Sequence, residues 1–347
     1  MKLQPAEIRG LWEESIARSP QRLTGDIAQA LGISEAELIA SRIGLGAIRL
    51  APRWHDLLAS LGTLGPVRAV TRNAHAVMER DGVYPEYRSS YASSMFVSDD
   101  IDLRITPSRW AFAFALETTG PREGGVRRSV QFYSEDGIAI HKLFLTDASN
   151  AEQFYALVAH FQDPDQSEGQ CLRPIAMRYR SPREVDVKAF LREWGELKHP
   201  HHFFGLLERH KLSRLHAIQF AEGLYTRRVA NSSPRRLLMD VAKDAIPVSV
   251  QLANPGCLQI HKGLLQNVNV SSGWLNVVDP GAEIHIREAS VDHTWVVEKP
   301  SPHGYVYSLE LFDGYGGDIV SILGARKDGT SQDVAWQGVL SALPDAA

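Results

Sequence analysis

The chain repeats itself. Laid against itself at an offset of about 180 positions, Ile33-Ser34 falls on Leu212-Ser213, and Pro52 with Leu57-Leu58 falls on Pro234 with Leu237-Leu238. Asn73 falls on Asn254, and Val130-Gln131-Phe132-Tyr133 falls on Leu309-Glu310-Leu311-Phe312, with a glycine-containing turn after each. Asp147-Ala148-Ser149 falls on Asp328-Gly329-Thr330-Ser331, ahead of a terminal helix in both cases. Such a period is far too long for a solenoid, whose units are a few tens of residues. It specifies two homologous domains, and a chain of 347 residues exceeds what one core usually organises. The polar run Asp163–Gly169 separates them, which gives a first repeat over 1–165 and a second over 170–347.

Each half reads as helices, then strands, then a closing helix. In the first half the apolar spacing predicts helices over 5–18, 22–31 and 34–41, with Ser34-Glu35-Ala36-Glu37 as a capping box. Pro52 and Pro234 each start a further helix. Alternating segments predict strands at 66–72, 91–97, 101–106, 110–117 and 128–145. The second half repeats the pattern at 247–253, 257–262, 267–278, 283–288, 294–299, 305–312 and 318–323. Turns such as Glu135-Asp136-Gly137 make the sheets largely antiparallel, and helices near 149–162 and 331–343 close the halves. The expected fold is α+β in tandem duplication, each half a mostly antiparallel β-sheet with helices before and after it.

Composition narrows the function. A net charge of −4 and a pI near 6.4 exclude broad binding to nucleic acid or to anionic membranes. The two cysteines, Cys171 and Cys257, build no disulfide framework and fit a reducing compartment. The amphipathic start, with Ile8, Leu11, Trp12 and Ile16 on one face, has no signal-peptide core, and no apolar run reaches the roughly 20 residues of a membrane span. The expectation is a cytoplasmic protein that does not insert in a membrane.

The segment Lys198-His199-Pro200-His201-His202-Phe203-Phe204 carries the most chemistry. Three histidines stand within four residues at the start of a helix whose apolar stripe is Phe203, Leu206 and Leu207. Pro200 suits the first turn, where its missing N–H costs nothing. Imidazoles at a rigid helix start, beside large apolar side chains, suit a flat apolar ligand with a metal centre, and haem is the obvious candidate. The ordinary alternative is a set of surface histidines near a turn. The repeat bears on that choice: Gln21 stands where His201 would be in the first half, so no structural role common to both halves requires the imidazole.

Here the chain resembles, along essentially its whole length, the HemS/ChuS/HmuS family of bacterial cytoplasmic haem-trafficking and haem-degrading proteins. The resemblance rests on Thr71-Arg72-Asn73-Ala74-His75-Ala76-Val77, Ile101-Asp102-Leu103-Arg104 and His201-His202-Phe203-Phe204. It continues through Asn254-Pro255-Gly256-Cys257-Leu258-Gln259-Ile260-His261, Trp295-Val296-Val297-Glu298-Lys299-Pro300 and Gly324-Ala325-Arg326-Lys327. The resemblance implies two stacked repeats and one haem b, with His201 as the axial iron ligand; the cluster itself supplies His199 and His202 as neighbouring substitutes. It places Arg104 on the opposite haem face, where an arginine cannot ligate iron but can hydrogen-bond a small iron-bound species. It assigns Arg214, Lys299 and Arg326 to the propionates, with Phe204 against the macrocycle. One departure concerns the motif that some relatives close as Val-His-Glu; this chain has Val77-Met78-Glu79. A secondary haem site depending on that histidine is then absent or altered. His75 and His261, in matching strand regions, read as core or surface histidines.

Two other classes compete. Leu23 to Ser34 resembles the opening of a helix-turn-helix, but the recognition helix would be Ser34 to Ser41, with two acids and no base before Arg42. A zinc site on His199, His201 and His202 lacks a cysteine or acidic partner at finger or zincin spacing. Within the haem reading, transfer of haem is favoured, with a haem oxygenase or the cytoplasmic side of a haem ABC importer as protein partner. The runner-up is a haem-degrading oxygenase using O₂ and external electrons, for which Arg104 would be catalytic. The chain has no GxGxxG dinucleotide fingerprint; Gly314-Tyr315-Gly316-Gly317 comes nearest and falls in a hairpin turn.

Overall fold

The computed structural model describes residues 3–19, 22–90, 94–119, 125–174, 184–325 and 334–346. Gln21, Arg326, Lys327 and the segment Asp328–Ser331 lie outside the described residues. The chain forms two compact units that are not simple halves. The first holds Met1–Arg72, Glu79–Ile175 and Asn254–Leu258, and the second holds Asn73–Met78, Ala176–Ala253 and Gln259–Ala347.

In the first unit, helices α1 (Pro5–Arg18), α2 (Thr24–Leu31) and α3 (Glu35–Ala40) precede strand β1 (Ala47–Leu50), helix α4 (Trp54–Ser60) and strand β2 (Val67–Arg72). Strands β3 (Ala76–Gly82, whose residues up to Met78 belong to the second unit), β4 (Arg88–Ser89), β5 (Ser94–Val97), β6 (Asp102–Ile105), β7 (Phe112–Thr119), β8 (Val126–Tyr133) and β9 (Ala139–Leu145) follow, and α5 (Ala151–Phe161) closes the series. The main sheet runs β1-β7-β8-β9-β2, every neighbour antiparallel. In the second unit α6 (Val187–Gly195), α7 (His202–His210) and α8 (Arg214–Phe220) precede β10 (Thr226–Val229), α9 (Ser233–Lys243) and β11 (Val248–Asn254). Strands β12 (Cys257–Gly263, whose first two residues belong to the first unit), β13 (Val268–Ser271), β14 (Trp274–Asp279), β15 (Ala282–Arg287), β16 (His293–Ser301), β17 (Gly304–Phe312) and β18 (Asp318–Gly324) lead to α10 (Val334–Ser341). Its main sheet runs β10-β16-β17-β18-β11, again antiparallel throughout. The duplication therefore extends to topology. Even the register irregularity recurs, at Phe132/Tyr133 and at Leu311/Phe312.

Several elements depart from the expectation. Strands β1 and β10 are four-residue edges, too short for their alternation to register, and β3 has the buried Arg80 in its inward phase. The predicted strand 128–145 is the hairpin β8–β9, and 267–278 is the hairpin β13–β14. Helix α7 begins at His202, with Pro200 in the turn before it, while Pro234 does stand in the first turn of α9. The capping box holds: Ser34 Oγ accepts from the Glu37 amide at 3.1 Å and Glu37 Oε2 accepts from the Ser34 amide at 3.0 Å. Ser213 repeats the cap on α8, accepting from the His216 amide at 3.3 Å. All six residues of α3 are buried. No face of it is available to enter a DNA groove.

The matched asparagines have matching work. Asn73 begins the segment that belongs to the second unit; its Nδ2 donates to the carbonyls of Ala253 (3.2 Å), Asp318 (3.2 Å) and Ile319 (2.8 Å). Its Oδ1 accepts from the amides of His75 and Ala76. Asn254 begins the segment that belongs to the first unit; its Nδ2 donates to the carbonyls of Arg72 (3.0 Å) and Ile140 (2.7 Å), and its Oδ1 accepts from Gly256 and Cys257. An amide side chain with donors and an acceptor is required at both places.

The first unit also buries a histidine. His141 Nδ1 lies 2.8 Å from Thr71 Oγ1 and its Nε2 lies 2.5 Å from the hydroxyl of Tyr84. Burial pushes the imidazole down to about 3, because its charged form would be desolvated.

Two outcomes follow for stability. Asn73→Asp or Asn254→Asp, which keeps the acceptor and loses the donor, should cost about 2–4 kcal/mol in urea unfolding, and a change under about 0.5 kcal/mol would remove the proposed role. The stability from keeping His141 neutral is complete above about pH 6.5 and is lost as pH falls toward about 3, since the unfolded chain binds the extra proton there. In that window His141→Gln should lower the pH slope of unfolding free energy by about 1.4 kcal/mol per pH unit, and an unchanged slope would contradict it.

Candidate functional site

Helix α7 is fixed by its inner face. Phe203 and Leu206 are buried with Phe190, Trp194 and Leu197, and the Phe203 ring meets Trp194 edge-on at 4.6 Å. The other face is open: His201 and His202 are exposed, and Phe204 is 59 % exposed. His201 occupies the N-cap position, yet its ring does not cap the helix. Its amide donates instead to His199 Nδ1 at 3.2 Å, which makes that nitrogen an acceptor and leaves the His199 proton on Nε2. The His199 ring lies 4.5 Å from that of His201 and 6.0 Å from that of His202. Among the described residues, no three His, Cys, Asp or Glu side chains converge as metal ligands. One imidazole acting as an axial ligand does not need such a group.

Beneath this surface the structure brings together two of the residues predicted to meet carboxylates. Arg214 opens α8 directly after the capping Ser213, and Lys299 comes from β16. The Arg214 guanidinium lies 5.6 Å from the ring centres of both Phe203 and Phe204, and Lys299 Nζ lies 5.0 Å from that of Phe203. Both cations converge on Glu310 of β17. Arg214 binds it through two nitrogens, Nε to Oε2 at 2.7 Å and Nη2 to Oε1 at 2.9 Å. Lys299 Nζ donates to Oε1 at 2.5 Å and Ser308 Oγ donates to the same oxygen at 2.9 Å. The Glu310 side chain is 1 % exposed. Asp318 adds a half-exposed carboxylate 3.9 Å from Arg214 Nε.

Electrostatics in this cluster are set by mutual compensation. Burial alone would push the Glu310 carboxyl up, but the charges and hydrogen bonds of Arg214 and Lys299 outweigh it and hold the group well below the usual carboxylate range. Burial works against the charge of Arg214 too, and the carboxylates of Glu310 and Asp318 reverse it, so the guanidinium stays charged. Lys299 is drawn down by burial in spite of Glu310.

Glu310 went unremarked in the sequence beyond its place in the repeat. The available signal was a charged residue in the inward phase of a strand, two positions after the buried Ser308 and two before the buried Phe312. A buried carboxylate there needs cationic partners. The described contacts of the other assigned residues are with different groups. Arg104, on β6, bonds Asp102 two positions before it and the carbonyls of Leu103 (3.1 Å) and Phe96 (3.4 Å), and about a third of its side chain is exposed. Arg326 lies outside the described residues. Met78 is fully buried in the apolar core of the second unit, so its thioether is not presented to a ligand. His75 Nε2 lies 3.2 Å from Asp313 Oδ2, and His261 is buried.

Comparison with known proteins agrees with the repeat and with the fold. Residues 32–161 and 211–343 each match the family described as Haemin-degrading HemS.ChuX domain. The hemin transport protein HmuS of Yersinia pestis is 33% identical over 328 residues, 94% of each chain. The structure of holo-PhuS, a heme-binding protein from Pseudomonas aeruginosa, superposes with a TM-score of 0.94 at 36% identity, covering 99% of this chain and 100% of that one. The heme degrading enzyme ChuS of Escherichia coli O157:H7 gives a TM-score of 0.92 at 29% identity, covering 98% and 100%. The match falls twice, once on each repeat, and the chain belongs to the HemS/ChuX family.

Proposed function

We propose that this chain binds one haem b through His201 and passes it on within the cytoplasm. The observation that carries the proposal is the surface at the start of α7, where His201 and Phe204 are exposed and Phe204 lies 5.6 Å from the largely buried Arg214, which shares Glu310 with the buried Lys299. Neutral imidazole is a good iron ligand, an aromatic face suits the macrocycle, and Arg and Lys suit propionates through charge-assisted hydrogen bonds. The fit is qualified at the propionates, because Glu310 already holds both cations. Glu310 takes the Nε and Nη2 donors of Arg214, and Nη1 is the donor proposed for a further acceptor. Lys299, Arg326 and Phe204 complete the proposed contacts, and the proposed substitutes for His201 are His199, whose ring lies 4.5 Å from it, and His202, the next residue in the chain. Arg104 enters on the family resemblance alone, as the residue of the haem face opposite His201.

The names of the relatives favour transfer, since HmuS is a hemin transport protein and PhuS a heme-binding protein. A haem oxygenase or the cytoplasmic side of a haem ABC importer is the proposed protein partner. Degradation is the second reading, favoured by the likeness to ChuS over nearly the whole chain. Incubating the haem complex with a physiological reductant, O₂ and catalase separates the two. Intact haem, delivered to an acceptor, is expected; loss of the Soret band with a defined tetrapyrrole product would establish the enzyme.

His201→Ala should weaken haem binding about tenfold or more, or shift the Soret band where a neighbouring imidazole takes over, and adding His202→Ala should remove that rescue. Titration of the variants decides it: if both variants match the parent in affinity and spectrum, His201 is not the ligand. Arg104→Ala should leave affinity within about threefold while changing the ferric spin state and its pH dependence, and an unchanged spectrum across the alkaline range would remove Arg104 from the site.

A further inference from the structure

The cluster beneath α7 is already in the form of a bound carboxylate. Glu310 takes two parallel N–H bonds from Arg214, one from Lys299 and an O–H bond from Ser308, the donor set that charged carboxylate ligands recruit. The fold does not require an acid at this place. In the first unit the equivalent strand position is Gln131, which donates to Ser129 Oγ at 2.9 Å and accepts from the Tyr133 hydroxyl at 2.6 Å. Ser129 and Ser308 are themselves equivalent, so the two strands differ here by amide against carboxylate. The helix position equivalent to Arg214 also differs: it is Glu35, which follows the capping Ser34 and pairs with Lys142. In one unit the helix start supplies the carboxylate and a strand the cation. In the other the helix start supplies the cation and a strand the carboxylate.

We infer that Glu310 is an internal competitor for the cations that would hold the haem propionates, and that it limits how tightly the ligand is retained. The inference rests on the proposed reading that Arg214 and Lys299 meet those propionates. Its physical basis is charge compensation. With Glu310 and the half-exposed Asp318 both present, the charges of Arg214 and Lys299 are already balanced, so the two cations gain little from a ligand carboxylate. Without Glu310 they are left facing the half-exposed Asp318, and a propionate would supply the missing charge. A protein that must surrender its ligand benefits from such a built-in carboxylate, which re-engages both cations as the ligand leaves.

The test is the rate of haem transfer from the protein to an excess of a high-affinity apo-haem scavenger. It is run for the parent, Glu310→Gln and Asp318→Asn, each loaded with iron protoporphyrin IX or with its dimethyl ester. Gln is the residue that the first unit carries at this position, and Asp318→Asn removes a more exposed carboxylate beside the same guanidinium should Glu310→Gln fail to fold. Glu310→Gln should release the free-acid haem about tenfold more slowly, leave the ester rate unchanged, and unfold at a lower urea concentration when empty. Asp318→Asn should shift the free-acid rate in the same direction by a smaller factor. Free-acid release as fast as in the parent, or faster, in a folded variant that still distinguishes acid from ester overturns the competitor role and leaves the haem site standing. If the parent itself releases acid and ester equally fast, Arg214 and Lys299 do not meet the propionates, and the site reading falls together with the inference.

Discussion

Asn73 and Asn254 are where the chain changes units. Each stands at the first residue of a short segment that belongs to the compact unit other than the one preceding it, and each binds carbonyls of its new surroundings with Nδ2 while turning its own backbone with Oδ1. Backbone carbonyls buried without donors are costly, so the asparagine side chains fix where the change occurs. One of these contacts leads to the cluster of the proposed site. Strand β18, which begins at Asp318, supplies two of the carbonyls that Asn73 binds, and Asp318 approaches Arg214. Position in the second unit is thus tied to the site through a chain of named contacts.

Duplication explains why one unit has the chemistry. The two main sheets have the same order and the same irregularity, and α3 and α8 carry the same serine cap. On that shared frame the residues that could meet an anionic ligand diverge. The first residue of the capped helix is an acid in one unit and an arginine in the other, and the facing strand carries Gln131 or Glu310. A carboxylate-bearing ligand would be repelled by Glu35 and attracted by Arg214. On the proposed reading, specificity came from exchanging a few side chains within a fixed polar cluster, with the sheets left as they were.

Much of this could be read from the sequence, for identifiable reasons. Helix periodicity, the Ser34 capping box and the repeat are local or pairwise patterns, and they carry the α+β class and the duplication. The histidine cluster was readable because adjacent residues stay adjacent in any fold. What was hidden depends on contacts distant in sequence. Asn73 and Asn254 match as letters, but nothing local says that each marks a change of unit. Glu310 needs partners from α8 and β16 to be intelligible, and His141 needs Thr71 and Tyr84. Strand β3 was missed because Arg80, buried in its inward phase, breaks the apolar alternation. The helix-turn-helix likeness shows the converse: a local pattern resembled a DNA-binding motif, and the burial of all of α3 removes that use.

The central claim is that the imidazole of His201 holds the iron. Resonance Raman spectroscopy of the ferrous haem complex tests it most directly, because an iron–imidazole stretch reports the ligand itself and not the strength of binding. The band should be present in the parent, absent or shifted in His201→Gly, and restored to the parent position when free imidazole is added to that variant. An unchanged band in His201→Gly without imidazole would contradict the account.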